Sequence, residues 1–174
     1  MNRCENSYIR TFTGRKFWPL CPHAEDVDIL DIAHALSMTC RWGGHCRKFY
    51  SVAQHSVLCA AIAPNDAIGR VMMLHDASEA YMTDLPRPVK HGIPEFKIAE
   101  TRLMAVIAGR FGIAWPMCDV AHEIDNRMLA TEAKWLFEGR DSFDGERYGG
   151  LKFDPWSPAR AETCFLNHFA YFFP

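Results

Sequence analysis

The chain has 174 residues, 49% of them hydrophobic and 23% charged, which suffices for one domain with a sizeable core and excludes a disordered segment. Its net charge of -2 gives no general attraction to polymeric nucleic acid or to an anionic membrane, so an anionic ligand must be met by a local cluster of cations. Seven cysteines, odd in number and without a C-x-x-C pair, suggest neither a disulfide framework nor a zinc knuckle. The expectation is a soluble, cytoplasmic protein with no membrane span, a single domain over 1–174, because Met1–Asn6 lacks the apolar stretch of a signal peptide and no run approaches ~18 apolar residues.

In chain order, Ile29, Ile32, Ala33, Leu36 and Cys40 recur at helical spacing and predict a helix over 27–40. Trp42-Gly43-Gly44 reads as irregular. Ser51 is a good N-cap for a second helix carrying Val52, His55, Leu58, Cys59 and Ile62 before Pro64 stops it. A third runs from about Asn65 to Met82 through Ile68, Val71, Met72, His75 and Glu79. After the irregular Leu85-Pro86-Arg87-Pro88, the clearest helix places Phe96, Ala99, Leu103, Val106, Ile107 and Phe111 between Pro94 and Gly112. Met117 to Glu138 follows, with Val120, Ile124, Met128, Leu129 and Trp135 as its expected buried side. Residues 139–156 gather glycine, proline and aspartate, and Ser157-Pro158 opens a last helix to about Phe172. No alternating strand pair stands out, so the fold class is an all-α, single-domain bundle of roughly six helices.

The strongest chemical feature is His75-Asp76, followed one helical turn later by Glu79. His55 and Asp125 each sit mid-helix among apolar neighbours, where an unpartnered imidazole or carboxylate would cost some kcal/mol. A shared cation would satisfy all four. Two imidazoles and two carboxylates suit Zn, Mn, Fe, Co or Ni more than Ca, and leave open positions in an octahedral shell. Cys40, His45 and Cys46 lack an evident fourth partner for a second, structural zinc. Arg87 and Lys90, delivered by the two-proline turn, could join Arg15 and Lys16 in neutralising a polyphosphate.

The runs Ser51–Ser56, His75–Ala80 and Asp84–Lys90, with Asp125 and Trp18-Pro19-Leu20, resemble the motifs of small HD-domain phosphohydrolases related to the bacterial 5′-deoxynucleotidases. They are also similar to the small phage dATP triphosphohydrolases, which help phages that use 2-aminoadenine keep adenine out of their DNA. The resemblance spans about residues 16 to 135. It implies that His55, His75, Asp76 and Asp125 hold a divalent metal (Zn, Mn or Co), that Glu79 acts in proton transfer, and that Asp84 meets the sugar or the attacking water. It places Trp18 on the nucleoside; Leu20, Arg15, Lys16, Arg87 and Lys90 are further candidate substrate contacts. The deoxynucleotidases carry an arginine immediately before that tryptophan to bind phosphate, where this chain has Phe17, and Cys21–Tyr50 stands as an insertion ahead of His55.

The function expected is metal-dependent hydrolysis of a deoxynucleotide, a purine one first, with dATP cleaved to deoxyadenosine and triphosphate as the leading case. A 5′-deoxynucleotidase acting on monophosphates is the alternative within that class, and a non-catalytic nucleotide sensor the alternative outside it. The resemblance further implies a homo-oligomer and a cytoplasmic location, in the host cytoplasm if the chain is phage-encoded.

Overall fold

Side-chain spacing decides the architecture. The computed structural model describes residues 7–137, 145–151 and 154–174; the expectations for Met1–Asn6 and for 139–144 lie outside the described residues. The fold is all-α, with helices α1 (Ile29–Met38), α2 (Val52–Ala61), α3 (Asp66–Leu74), α4 (Glu79–Met82), α5 (Arg87–His91), α6 (Pro94–Phe111), α7 (Asp119–Leu136) and α8 (Pro158–Phe172). Helix starts follow local chemistry. Asp28, Ser51, Asn65 and Ser157 each cap a helix by accepting a backbone N–H two or three residues on, each cap contributing about 1 kcal/mol. Gly112, at φ 66°, ends α6 in the left-handed conformation that glycine adopts without strain.

Helix α2 forms the axis of the bundle and packs against α1, α3, α7 and α8. All of its residues except Leu58 and Ala61 are buried, Gln54, His55 and Ser56 included. The Gln54 amide donates to Asp154 O at 2.9 Å and accepts from Trp156 N at 2.8 Å, tying the approach to α8 onto this axis. On the far side α3 meets α8 so closely that a Cβ on Gly69 would lie 2.3 Å from the Phe172 ring. Phe165 and Phe172 are buried and Phe169 and Phe173 partly so, while Tyr171 is exposed. The aromatic tail therefore covers this chain's own core.

Several expectations change. A two-residue antiparallel pair, β1 (Ile9–Arg10) and β2 (Lys16–Phe17), precedes the helices; it is too short to show alternation. The third helix is broken at His75–Ser78, where the chain tightens to bonds between residues three apart, Ala77 N to Leu74 O and Glu79 N to Asp76 O, each 3.0 Å. The cause is local: His75 Nδ1 donates to Met72 O at 2.7 Å, the carbonyl an unbroken helix would offer to the Asp76 N–H. Arg87 and Pro88 begin α5 instead of lying in a loop, since proline is well placed in a first turn. On α7, Val120 and Trp135 are exposed, and Thr131 and Glu132 take up buried positions. Cys21 is disulfide-bonded, which scattered cysteines without paired spacing do not announce. Among the described residues no helix is long and apolar enough to cross a membrane.

Candidate metal centre

Two helices and the break between α3 and α4 bring the sequence-predicted ligands together. His55 reaches in from α2, His75 and Asp76 from the break, and Asp125 from α7. His55 Nε2 lies 3.2 Å from His75 Nε2, 3.7 Å from Asp76 Oδ2 and 3.2 Å from Asp125 Oδ1. His75 Nε2 lies 3.3 Å from Asp76 Oδ2 and 3.8 Å from Asp125 Oδ1. Among the described residues, His55, His75 and Asp76 form a group whose ligand atoms all lie within 4.8 Å of one another and could hold a metal ion. Asp125 faces both rings. Ligand atoms ~2.0–2.2 Å from one ion stand roughly 3.0–3.5 Å apart when adjacent, so these separations suit a single cation.

Hydrogen bonding shows why a cation fits. The Met72 carbonyl can only accept, so His75 carries its proton on Nδ1; His55 Nδ1 likewise faces Glu132 Oε1 at 2.6 Å. Both Nε2 lone pairs then point at each other and at two carboxylates, the outer-shell arrangement of metal-binding imidazoles. Without a cation, a proton must serve. Burial and the Arg41 guanidinium oppose a charged His55 ring, but Cys59, Glu132 and Asp125 outweigh them and raise its pKa well above the usual value. For Asp125, burial is overcome by both imidazoles, and its carboxyl falls well below the ordinary range.

Behind the ligands lies a buried network that the sequence reading missed. Glu132, fully buried, accepts from His55 Nδ1, from Tyr50 Oη at 2.8 Å and from Arg41 Nε at 3.2 Å. Arg41 Nη1 also reaches Asp76 Oδ2 at 3.3 Å. Burial opposes the charge on Arg41, yet Glu132, Asp76 and Asp125 more than restore it; burial likewise opposes the charge on Glu132, and Arg41 and His55 lead in reversing that. The available signal was Glu132's place seven residues after Asp125, two full turns along the same face of α7.

The ligands open onto a cavity of about 970 Å³, lined among others by Arg41, Trp42, Glu79, Asp84, Arg87 and Lys90. Glu79 is buried, and its Oε2 has no hydrogen-bond partner among the described residues, while Oε1 stands 3.9 Å from Lys90 Nζ. Burial first, then Asp76 and Asp84, push its carboxyl well above the usual range. Asp84 is raised too, chiefly by burial. Lys90 is held by Glu100 at 2.6 Å, and Arg87, largely exposed, lies 4.0 Å from Asp125 Oδ2. Trp42 and Thr83, the non-glycine residues with positive φ among those described, sit at this cavity or next to its Asp84. Such strain costs about 1–3 kcal/mol and gathers at functional sites.

Four expected substrate contacts lie elsewhere. Arg15 pairs with Asp28 at 3.4 Å, Lys16 sits 4.6 Å above the Tyr8 ring, Trp18 packs on Tyr8, and the Leu20 carbonyl accepts from Arg102. None of the four lines the cavity. The hairpin is tied to the start of α1, Thr13 donating to Asp31 and Arg15 pairing with Asp28, whereas Arg41-Trp42 lies in the loop closed by the Cys40–Ser51 bridge ahead of α2. Arg41-Trp42 is itself an arginine followed by a tryptophan, the order sought at Phe17-Trp18, and both line the cavity. Cys40 and Cys46 are free thiols 3.6 Å apart, and no metal-holding group including His45 occurs among the described residues.

No family model matches the chain. It is 42% identical over 130 residues to the uncharacterized protein YfdR of Escherichia coli strain K12, covering 75% of this chain and 72% of that protein. It is also 35% identical over 118 residues to an uncharacterized protein of Rhodobacter capsulatus, covering 63% of this chain and 60% of that one. The chain belongs to the family of Escherichia coli YfdR.

Proposed function

We propose that the protein is a divalent-metal-dependent phosphohydrolase of the HD-domain type acting on deoxynucleotides, with dATP, cleaved to deoxyadenosine and triphosphate, as the leading substrate. The observation that carries this is the pairing of a four-residue ligand cluster with Glu79, a buried carboxyl at the same cavity whose Oε2 has no hydrogen-bond partner among the described residues. His55, His75, Asp76 and Asp125 would hold a divalent cation, which when bound would supply the positive charge to polarise a phosphoryl group and activate water.

The chain's own groups do the rest. Glu79 donates its proton to the leaving oxygen, a contribution of about 10² to 10⁴ in rate. Arg41, pinned on two sides, meets a phosphate oxygen with the guanidinium edge facing the cavity. Trp42, set edge-to-face against Phe137 at 5.2 Å, gives the nucleoside an aromatic wall. Asp84, at the wall of the same cavity, meets the sugar or the incoming water in this reading.

One observation favours the monophosphate reading. With Arg15 and Lys16 away from the cavity, its cations are Arg41, Arg87 and Lys90, and Arg41 and Lys90 already answer Glu132, Asp76, Glu100 and Glu79. That charge suits a phosphate dianion better than a triphosphate. Turnover of dATP and dAMP with Mn, Co or Zn, resolved into triphosphate and orthophosphate, decides between them. Nucleotide binding with every metal but no product would make the chain a sensor and end the hydrolase reading.

A further inference from the structure

Glu132 does not line the cavity, yet three separate parts of the site converge on it. Its Oε1 accepts from the His55 ring and from the Tyr50 hydroxyl, and its Oε2 accepts from Arg41. No solvent reaches it. We propose that Glu132 is the positioning residue of the metal centre: one sealed carboxylate keeps the His55 proton on Nδ1, so that Nε2 faces the cluster bare, and aims Arg41 at the cavity. This rests on the metal reading of the site given above.

The accounting of donors makes the role specific. An imidazole has one proton to place when neutral, and whichever nitrogen loses it becomes the ligand. With an acceptor-only carboxylate at 2.6 Å from Nδ1, the bare nitrogen is Nε2, the atom 3.2 Å from His75 Nε2 and from Asp125 Oδ1. The same carboxylate leaves Arg41 Nη1 on Asp76, a second ligand. Helix α7 thus contributes one ligand, Asp125, and two turns later the group that orients another.

A glutamine of the same size cannot do this. Its amide has one accepting oxygen and two N–H donors, so either His55 or Arg41 would face an N–H. If His55 faces it, the ring proton moves to Nε2 and the lone pair leaves the cluster; if Arg41 faces it, the guanidinium turns away.

The test is Mn²⁺ binding, followed through the EPR signal of the free ion, for the wild type, Glu132→Gln and Tyr50→Phe. Glu132→Gln should weaken Mn²⁺ binding by about 10- to 100-fold, the usual effect of losing an outer-shell partner. Tyr50→Phe keeps the carboxylate and should stay within about threefold of wild type, as expected for one neutral hydrogen bond. In Zn²⁺-loaded wild type, ¹⁵N–¹H spectra of the histidine rings should show the His55 proton on Nδ1. Unchanged Mn²⁺ affinity in Glu132→Gln, or a proton on His55 Nε2, overturns the proposal. If Glu132→Gln does not fold, the wild-type ring spectrum decides alone. Should wild type bind neither Mn²⁺ nor Zn²⁺, the metal reading fails and this inference with it, an outcome distinct from tight wild-type binding that Glu132→Gln leaves intact.

Discussion

The inner and outer halves of the site are built on opposite principles. In the inner half, His55, His75, Arg41 and Glu132 are all buried, and contacts with Glu132, Tyr50, Met72 and Asp76 hold both rings and the guanidinium from behind while the two Nε2 atoms face the ligand cluster. In the outer half, Glu79 leaves a buried oxygen without a partner, Asp84 and Lys90 are partly exposed, and Arg87 stands largely in solvent. Burial without water makes an unsatisfied polar group costly, so a fold completes such groups wherever it can. The inner contacts fix the direction of each side chain; the outer half leaves Glu79 Oε2 without a partner among the described residues.

The sharpest way to break that contrast is to remove an inner ligand. Asp76→Ala should lower phosphohydrolase activity by at least about a thousandfold, the equivalent of about 4 kcal/mol, with loss of bound metal by elemental analysis. Retained metal with retained activity would show that the cluster is not the centre.

Next comes Glu79→Gln, which keeps the shape but has no carboxyl proton to give. Its kcat should fall by about 10² to 10³ with the metal retained. In EDTA the same variant should melt higher than wild type near neutral pH. The sign follows from linkage: a carboxyl whose pKa is raised by folding contributes stability below its unfolded value of 4.5, and that contribution is lost as pH rises. Asp125 and Glu132 run the other way. Their pKa values are depressed, so they stabilise the metal-free fold above their unfolded values of 3.8 and 4.5 and lose that contribution as the pH falls through the depressed ones. Urea midpoints of the metal-free wild type should therefore drop below about pH 4, and a flat profile there would contradict the inner network.

A smaller effect tests whether the inner half depends on the core behind it. Gly69→Ala drives a methyl into Phe172 and should cost about 2 kcal/mol, read as a fall in melting temperature of roughly 4–8 °C. Because α3 leads into His75, metal affinity should fall with stability.

The smallest effect belongs to the exposed rim. Arg87→Ala should raise KM about fivefold with kcat nearly unchanged, as a solvated cation implies. A larger kcat effect would move Arg87 into the inner half.

The sequence by itself determined most of the helices and pointed to the four residues that cluster between them. Cap residues and spacing three or four apart are local properties, and they located α2, α6 and α8 closely; His55, His75, Asp76 and Asp125 announced themselves as polar residues on apolar faces. The break in the third helix was not legible, because it depends on a side chain competing for its own helix's carbonyl. Only the tertiary structure decided which tryptophan and which arginine reach the cavity. Arg41 and Glu132 are 91 residues apart, and no local pattern relates them. A charge surrounded by small apolar residues reads as a solvated face until the packing of α7 on α2 removes the solvent. Helical periodicity is written between neighbours in the chain, whereas the partner of a buried charge is chosen by whichever distant group the closed fold brings within bonding reach.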